Sequence, residues 1–139
     1  YVEVTGESQE AVLADAELDG FARVSGVLNL MIAEEYEAST EGHAAGCMVV
    51  TTRMTPDRGS QDPRVARILD RALGRQLAML EHAVRAGRFD GSLRPDLDAR
   101  DTALLVVTLI SGIRVMAQAG SAPEELRRIV ALGLSALTP

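Results

Sequence analysis

Cysteine, lysine and aromatic residues are scarce or missing in this sequence. The single cysteine, Cys47, cannot form an internal disulfide, which is typical of a protein from a reducing compartment. There is no lysine, and 14 arginines against 20 acidic residues give a net charge of −6. No basic stretch can neutralise phosphates, and the scattered aromatic residues cannot stack on bases. We therefore predict that these 139 residues do not contact nucleic acid themselves.

Long uninterrupted hydrophobic runs and catalytic motifs are also lacking. The longest apolar stretch, residues 103–120, contains Arg114 and Gln118 and falls short of the roughly 20 apolar residues that a membrane helix needs. No cationic start followed by an apolar segment marks a signal peptide. No nucleophile elbow, phosphate loop or zinc signature is present. The sequence predicts a soluble, cytoplasmic protein that is not an enzyme and holds neither metal nor cofactor.

What the sequence does contain is apolar residues at helical spacing along most of its length. One stripe predicts a helix over residues 17–38, and it consists of Phe21, Val24, Val27, Leu28, Met31 and Ile32. The residues before it are ambiguous, because the first four alternate like a strand and Gly6 weakens a helix. We favour a helix over residues 8–16, with an extension back to Tyr1.

A further helix has clear signals at both ends. Asp62 and Pro63 are typical of a helix start, because an acceptor caps the first turn and proline needs no partner there. The apolar residues that follow predict a helix that ends near Ala86, with Gly87 as its stop.

Two more helices follow the loop RFDGSLRPDLD. Asp98 is predicted to cap a helix that reaches about Ala119 and stops at Gly120. Residues 121–124, SAPE, are typical of a capping box that opens the last helix. The apolar face of this helix consists of Leu126, Ile129, Val130, Gly133, Leu134 and Leu137.

Residues 46–63 interrupt this helical pattern. Residues 49–52 are β-branched and favour a strand, but no second strand is predicted that could pair with their backbone groups. We therefore predict a short buried helix over residues 47–54, followed by a polar loop. With 139 residues in a single domain, the predicted fold class is all-α, an antiparallel bundle of about five to six helices.

Several stretches stand out by their order and spacing. They are GCMVV before the polar loop, DP at the start of a long helix, AGRFDGSLRPDLDA, LVVTLISGIRVMAQAG and PEELRRIVALGLSAL. Together they resemble the C-terminal regulatory domain of TetR-family transcriptional regulators, over about residues 18–137. The most specific parts are residues 46–47 and the loop 93–98. The helix-turn-helix part of that family is absent, and residues 1–16 fall where the helix that links the two parts would begin.

The resemblance implies a mechanism. The domain would enclose a mostly apolar pocket for a small-molecule effector, and its last two helices would pair with a second copy in a four-helix bundle. Effector binding would shift the linking helix and change the spacing of two DNA-reading parts, which relieves DNA binding by a repressor. DNA would be a partner only through the part that this chain lacks, and the protein would be a homodimer.

The resemblance also places candidate pocket residues on the inner helices. Met48 and Met54 are included because the family's short helix lies beside the ligand and methionine adapts to irregular cavities. The candidate ligand-binding residues are Phe21, Leu28, Met31, Ile32, Glu35, Met48, Met54, Gln76, Met79, Leu80, Leu105, Leu109 and Ile113.

Two of these candidates are polar residues within apolar faces. Glu35 could orient a ligand and favour a cationic one, or it could lie near the helix end and point to water. Gln76 could contact the ligand, or it could be a core amide with a partner or a residue at the dimer edge. Either group needs a hydrogen-bond partner if it is buried.

The helix over residues 98–119 is apolar on nearly all sides and must be covered on both. We predict that its face with the larger residues, Leu105, Leu109, Ile113 and Met116, lines the core and the pocket. The face with the smaller residues is predicted to form the dimer interface, together with two residues of the last helix. The interface residues are Leu104, Thr108, Ser111, Gly112, Val115, Arg128 and Leu132. Alternatively, this face packs only on the last helix of its own chain.

The cysteine and the two histidines give little support for a redox or metal site. Cys47 is more typical of a small buried residue than of a redox sensor, and its spacing from His43 makes a poor metal pair because Gly46 breaks the helix between them. His82 is predicted to lie at the surface. The alternative functions are a stand-alone helical module that binds a small molecule or a protein, and a helical-bundle enzyme.

Overall fold

The computed structural model describes residues 2–40 and 63–139. This part of the chain forms five helices: α1, Val2–Leu13; α2, Gly20–Thr40; α3, Pro63–Asp90; α4, Ala99–Gln118; and α5, Pro123–Ser135. No strand occurs in these residues, and the predicted all-α bundle is confirmed. The predicted short helix over residues 47–54 lies outside them. The extension of the first helix towards Tyr1 is confirmed as far as residue 2.

α2 lies at the centre of the bundle and contacts each of the other four helices. α1 runs back along α2, because a short turn connects them and Val12 packs at Gly26. α3 is antiparallel to α2, since the first residue of α2 meets Gly87 in the last turn of α3. α5 returns along α4, and the amide of Arg94 before α4 donates to the carbonyl oxygen of Leu137 after α5 at 2.9 Å.

The apolar stripe predicted on α2 forms the middle of the core. Val24, Val27, Leu28, Met31 and Ile32 are almost completely buried, and Phe21 is partly buried at their edge. Burial of a large aliphatic side chain contributes about 1.5–3 kcal/mol, so this stripe is a main source of stability. α2 begins at Gly20 rather than at residue 17, because the Asp19 carboxylate accepts a hydrogen bond from the amide of Ala22 at 2.7 Å and caps the helix there.

α3 extends beyond its predicted end. The prediction that Gly87 stops this helix is wrong, because the helix continues to Asp90 and ends before Gly91, whose φ is 85°. Gly87 instead permits a close contact between helices: a Cβ atom on Gly20 would overlap the backbone of Gly87. Gly87 also lies against the side chain of Leu93, which is fully buried. Glycine is required here by packing rather than by the end of a helix.

The turn after α3 supplies hydrogen-bond acceptors to the N-terminus of α2. The amide of Gly20 donates to the Asp90 carboxylate at 3.0 Å, and the amide of Phe21 donates to the Ser92 hydroxyl oxygen at 3.0 Å. Hydrogen bonds from the Ser92 hydroxyl and amide hold the pKa of Asp90 below its usual value. Two amide groups at the N-terminus of α2, which have no partner within the helix, are thereby satisfied.

The ends of α4 agree with the sequence, and the start of α5 does not. The Asp98 carboxylate caps α4 by accepting a hydrogen bond from the amide of Asp101 at 2.8 Å, and Gly120 follows the helix with a φ of 100°. The capping box predicted at residues 121–124 is displaced by one residue. The cap position is Ala122, whose amide donates to the Glu125 carboxylate at 2.9 Å. Alanine has no side-chain acceptor, so only half of the box forms.

Among the described residues, α4 is the one helix long and apolar enough to cross a membrane by length and composition. The sequence had indicated that this stretch falls short of that length. One such helix is weak evidence for a membrane, because the core helices of soluble proteins pass the same test. α4 packs against α2, α3 and α5.

The contact between α2 and α3 predicts opposite effects for two glycine substitutions. Gly20→Ala should destabilise the protein by about 1–3 kcal/mol, because the new Cβ atom forces two backbones apart. Gly74→Ala, at an exposed site on α3 where a Cβ atom meets nothing within 4 Å, should stabilise it by about 0.5–1 kcal/mol through helix propensity. Urea unfolding followed by circular dichroism measures both. Equal stability of the two variants would contradict the close contact.

Candidate functional site

Most of the predicted pocket residues come together in the structure. Leu28, Met31, Ile32, Leu80 and Ile113 are buried members of one core cluster, and three others pack against it while staying partly exposed: Phe21, Met79 and Leu109. Met48 and Met54 lie outside the described residues, as do Cys47 and His43. The shared cluster brings side chains of α2, α3 and α4 together. That they line an effector pocket stays a prediction.

The predicted division of α4 into two faces is wrong for two of the four residues of its inner face, Leu105 and Met116, whereas Ile113 is in the core and Leu109 packs against it. Leu105 and Met116 were expected in the core, but they are 41% and 45% exposed. The buried face consists instead of Ala99, Thr102, Ala103, Val106, Ile110, Ile113 and Arg114. Because α4 is apolar on nearly all sides, its periodicity alone could not identify the face that packs inwards.

Glu35 of α2 is buried in the bundle and forms an ion pair with Arg114 of α4. The side chains are 4% and 9% exposed, and the Arg114 guanidinium donates to the Glu35 carboxylate at 2.8 Å. The alternative that Glu35 points to water is therefore wrong. A buried charge is tolerated only with a partner, so the two residues require each other. In this structure the Glu35 carboxylate is occupied by an arginine of the same chain.

Glu34 adds a second carboxylate beside this pair. One of its carboxylate oxygens is buried and accepts no hydrogen bond within the described part of the chain. Burial raises the pKa of Glu34, the nearby charge of Arg114 lowers it, and the charges of Glu35 and Glu37 raise it further, with a net increase. The cluster of Glu34, Glu35 and Arg114 therefore contains two carboxyl groups and one guanidinium.

Gln76 lies on the inner side of α3 and is paired with α1. Its side-chain amide donates to the Gln9 side-chain oxygen at 2.9 Å, and Gln9 is 6% exposed. The expectation of a core amide with a partner agrees with this contact, and the partner belongs to the predicted linking helix. Next to this pair, the exposed Arg75 and Glu10 form an ion pair at 3.0 Å.

The predicted dimer residues lie together on the outer surface of α4 and α5. Of the seven residues, only Ser111 is half-buried, and the others are exposed: Leu104, Thr108, Gly112, Val115, Arg128 and Leu132. Leu132 is 73% exposed. The Thr108 hydroxyl donates to the carbonyl oxygen of Leu104 at 2.8 Å, so it does not require a partner from another molecule. Nothing lies within 4 Å of a Cβ atom built on Gly112.

Within the chain, α4 and α5 pack closely through Gly133. A Cβ atom there would lie 2.9 Å from a methyl carbon of Leu109. The inner contact of these two helices therefore uses Leu109 and Gly133, while Leu104 and Leu132 stay exposed. The alternative that the predicted interface face packs only on the last helix of its own chain is wrong for the residues that remain exposed.

Sequence reasoning missed three residues of these polar contacts: Gln9, Glu34 and Arg114. The signal for Arg114 was present, since an arginine within an apolar run of α4 needs a carboxylate partner. Gln9 and Glu34 stand among other polar residues, and nothing in their surroundings distinguishes them. The predicted surface position of His82 is confirmed. Among residues 2–40 and 63–139, no group of three potential metal ligands comes together.

The composition of the buried cluster predicts unequal effects for its two paired residues. Arg114→Met leaves two carboxyl groups without a cation and should destabilise the protein by about 3–5 kcal/mol. Glu35→Gln leaves Arg114 with Glu34 still nearby, so the loss should be about 1–3 kcal/mol. Arg75→Gln, in an exposed pair, should change stability by less than about 1 kcal/mol. Urea unfolding ranks the three variants, and a larger loss for Glu35→Gln than for Arg114→Met would contradict this arrangement.

The raised pKa of Glu34 predicts the direction of a pH effect. An acid whose pKa is higher in the folded state binds more protons there, so stability falls as pH rises from the ordinary glutamate pKa of 4.5 to the raised pKa of the folded state. Glu34→Gln should therefore be more stable than the original protein at about pH 7, by less than about 1 kcal/mol because the group is half exposed. The difference should disappear below about pH 4. Glu17→Gln, at an exposed position, is the control, and a constant difference at all pH values would contradict the prediction.

Comparisons with known proteins agree with this architecture. The sequence profile of the tetracyclin repressor-like C-terminal domain matches residues 20–132, and no curated protein matches the chain. Among solved structures, the fold is similar to a cysteine mutant of CifR, a TetR family transcriptional regulator complexed with 26-bp double-strand operator DNA. The TM-score is 0.76 at 25% sequence identity, over 98% of this chain and 68% of that chain. Since the profile covers most of its length, the chain belongs to the family of tetracyclin repressor-like C-terminal domains.

Proposed function

We propose that this chain is the effector-binding and dimerising domain of a transcriptional regulator, most simply a cytoplasmic repressor. The family supports a role in transcriptional regulation. In this role the domain does not catalyse a reaction. It binds a small, largely apolar effector, and α1 carries the change to a DNA-reading part that precedes it in the chain.

The observation that carries the proposal is the exposed apolar surface on α4 and α5. Six of the ten exposed large apolar side chains of the described residues lie on these two helices: Leu104, Leu105, Val115, Met116, Ile129 and Leu132. Contiguous apolar surface of this kind marks an interaction site. We call these six residues the outer face. It includes Leu105 and Met116, which the sequence had placed on the inner face of α4.

A second copy of the chain is the partner that fits the outer face best. The stretch of α4 from Leu104 to Met116 presents no charged side chain outwards, since its one charged residue, Arg114, is buried. Gly112 leaves room for another helix to approach. Two copies related by a two-fold axis would pair α4 and α5 of one with the same helices of the other, which forms a four-helix bundle.

The effector pocket is proposed among the core residues of α2, α3 and α4. Met31 and Ile113 belong to the core cluster there and Met79 packs against it, so these three residues would form the apolar lining, and methionine can adapt to ligands of different shape. Because Glu35 is paired with Arg114, we no longer expect its carboxylate to select a cationic effector. A largely apolar, uncharged molecule fits these surroundings best.

Leu132→Glu is expected to disrupt the dimer without unfolding the protomer. Leu132 is 73% exposed in the single chain, so a charge is tolerated there until a partner covers it. Loss of a central apolar contact of about 2 kcal/mol weakens association about 30-fold. Sedimentation velocity across a concentration series measures the dissociation constant. The matched control is Phe89→Glu, which is 96% exposed at the end of α3 and away from the outer face.

The outcomes separate the proposed function from its alternatives. A dimer that dissociates with Leu132→Glu and persists with Phe89→Glu supports the outer face as the interface. A monomeric original chain would overturn the dimerisation part. Dimerisation can also be tested in a reporter strain, with a DNA-binding domain that represses only as a dimer fused before Tyr1. The fusion should repress the reporter, and the same fusion with Leu132→Glu should not. Thermal shifts with a panel of small apolar compounds test effector binding independently.

A further inference from the structure

The described side chains of α1, those of residues 8–13, make few apolar contacts with the bundle. In the part of α1 whose side chains are described, Leu13 is buried and Val12 is partly buried, and both lie in its last turn. One turn earlier, the residue that faces inwards is polar: Gln9 is 6% exposed. Within residues 8–13, the apolar attachment of α1 therefore lies in its last turn, next to the turn that leads into α2.

The inward side chain of Gln9 is held by one residue of α3. Gln76 donates its side-chain amide to the Gln9 oxygen at 2.9 Å. Gln76 stands between Leu73 and Leu77, which belong to the apolar side of α3. An amide in such surroundings is costly unless it is hydrogen-bonded, so each glutamine holds the other in place.

The neighbouring ion pair cannot replace this contact. Arg75 and Glu10 are 64% and 36% exposed, and exposed ion pairs contribute little because water and salt screen them. Two contacts of residues 8–13 then bear on the angle of α1 on α3. Leu13 forms the fixed end, and the pair of Gln9 and Gln76 fixes the position of the helix one turn further out.

We propose that Gln76 is the positioning residue of the linking helix, and that it holds α1 at a defined angle through Gln9. This inference rests on the proposed function in one respect, the assignment of α1 as the helix that leads to the DNA-reading part. A buried polar pair also defines register, since helices that slide or tilt leave both amides without partners. Loss of this one hydrogen bond therefore frees α1 and leaves the bundle of α2 to α5 intact.

The test is hydrogen exchange of backbone amides, measured by NMR on the whole chain. Gln76→Leu leaves Gln9 buried without a partner, so amides of α1 should exchange about ten-fold faster or more. Amides in the middle of α4 should keep their original rates, because α4 is buried by the other helices. The double variant Gln9→Leu with Gln76→Leu replaces both amides by apolar groups and should restore slow exchange in α1.

Two controls make the result specific. Arg75→Gln removes the exposed ion pair beside the two glutamines and should change exchange in α1 less than two-fold. Leu80→Ala, at a fully buried position of the core, should accelerate exchange in α4 as well as in α1. This control shows what a general loss of stability looks like.

Three results would overturn the proposal: unchanged exchange in α1 of Gln76→Leu, equal acceleration in α1 and α4, or no recovery in the double variant. The measurement uses neither DNA nor an effector, and it compares α1 with α4 in the same sample, so it does not depend on those parts of the proposed function. Sedimentation of the same samples reports dimerisation separately. A monomeric chain with the expected exchange pattern would refute the proposed dimer and retain the role of Gln76.

Discussion

α2 is in contact with every other helix of the described chain, and this central position constrains all that packs around it. The part of α2 that faces these helices must bury whatever side chains it carries. At its start Gly20 permits the backbone of α3 to approach, and in its middle the aliphatic residues from Val24 to Ile32 fill the core. Near its end the charge of Glu35 has no water available, and Arg114 neutralises it. The arginine within the otherwise apolar α4 is thus a consequence of the position of α2.

Local patterns predicted the helices, and contacts between distant residues account for what they missed. Periodicity and capping residues identify α2, α3, α4 and α5 because both act within a few residues of the chain. Gly87 resembles a helix stop by the same local rules, and its contact with Gly20 cannot be read from its neighbours. Glu35 and Arg114 are 79 positions apart, so their pairing depends on the fold. The faces of α4 were misassigned because an apolar residue on every side provides no periodic signal.

The polar pairs of the candidate site lie inside the bundle, whereas its exposed apolar side chains lie on the outer face. Inside, the pairs formed by Glu35 with Arg114 and by Gln9 with Gln76 each join two helices through one hydrogen bond. Outside, the outer face of α4 and α5 presents apolar side chains that stay exposed in the described part of the chain. Buried polar pairs define one arrangement of helices, and an apolar surface provides the free energy of association. A substitution in a buried pair is therefore expected to change the arrangement of the helices, and a substitution on the outer face is expected to change the affinity of the proposed dimer.

The turn after α3 has a consequence for the order in which the chain folds. Asp90 and Ser92 supply acceptors to the amides of Gly20 and Phe21, across separations of 70 and 71 residues. Closing a loop of that length is slow and entropically unfavourable, so we expect contacts within the C-terminal half to form first. The helices α3, α4 and α5 are neighbours in sequence and can pack on one another first. The N-terminal end of α2 can then pack against the turn after α3. Because synthesis starts at the N-terminus, the amides of Gly20 and Phe21 obtain these acceptors only after the residues of the turn have left the ribosome.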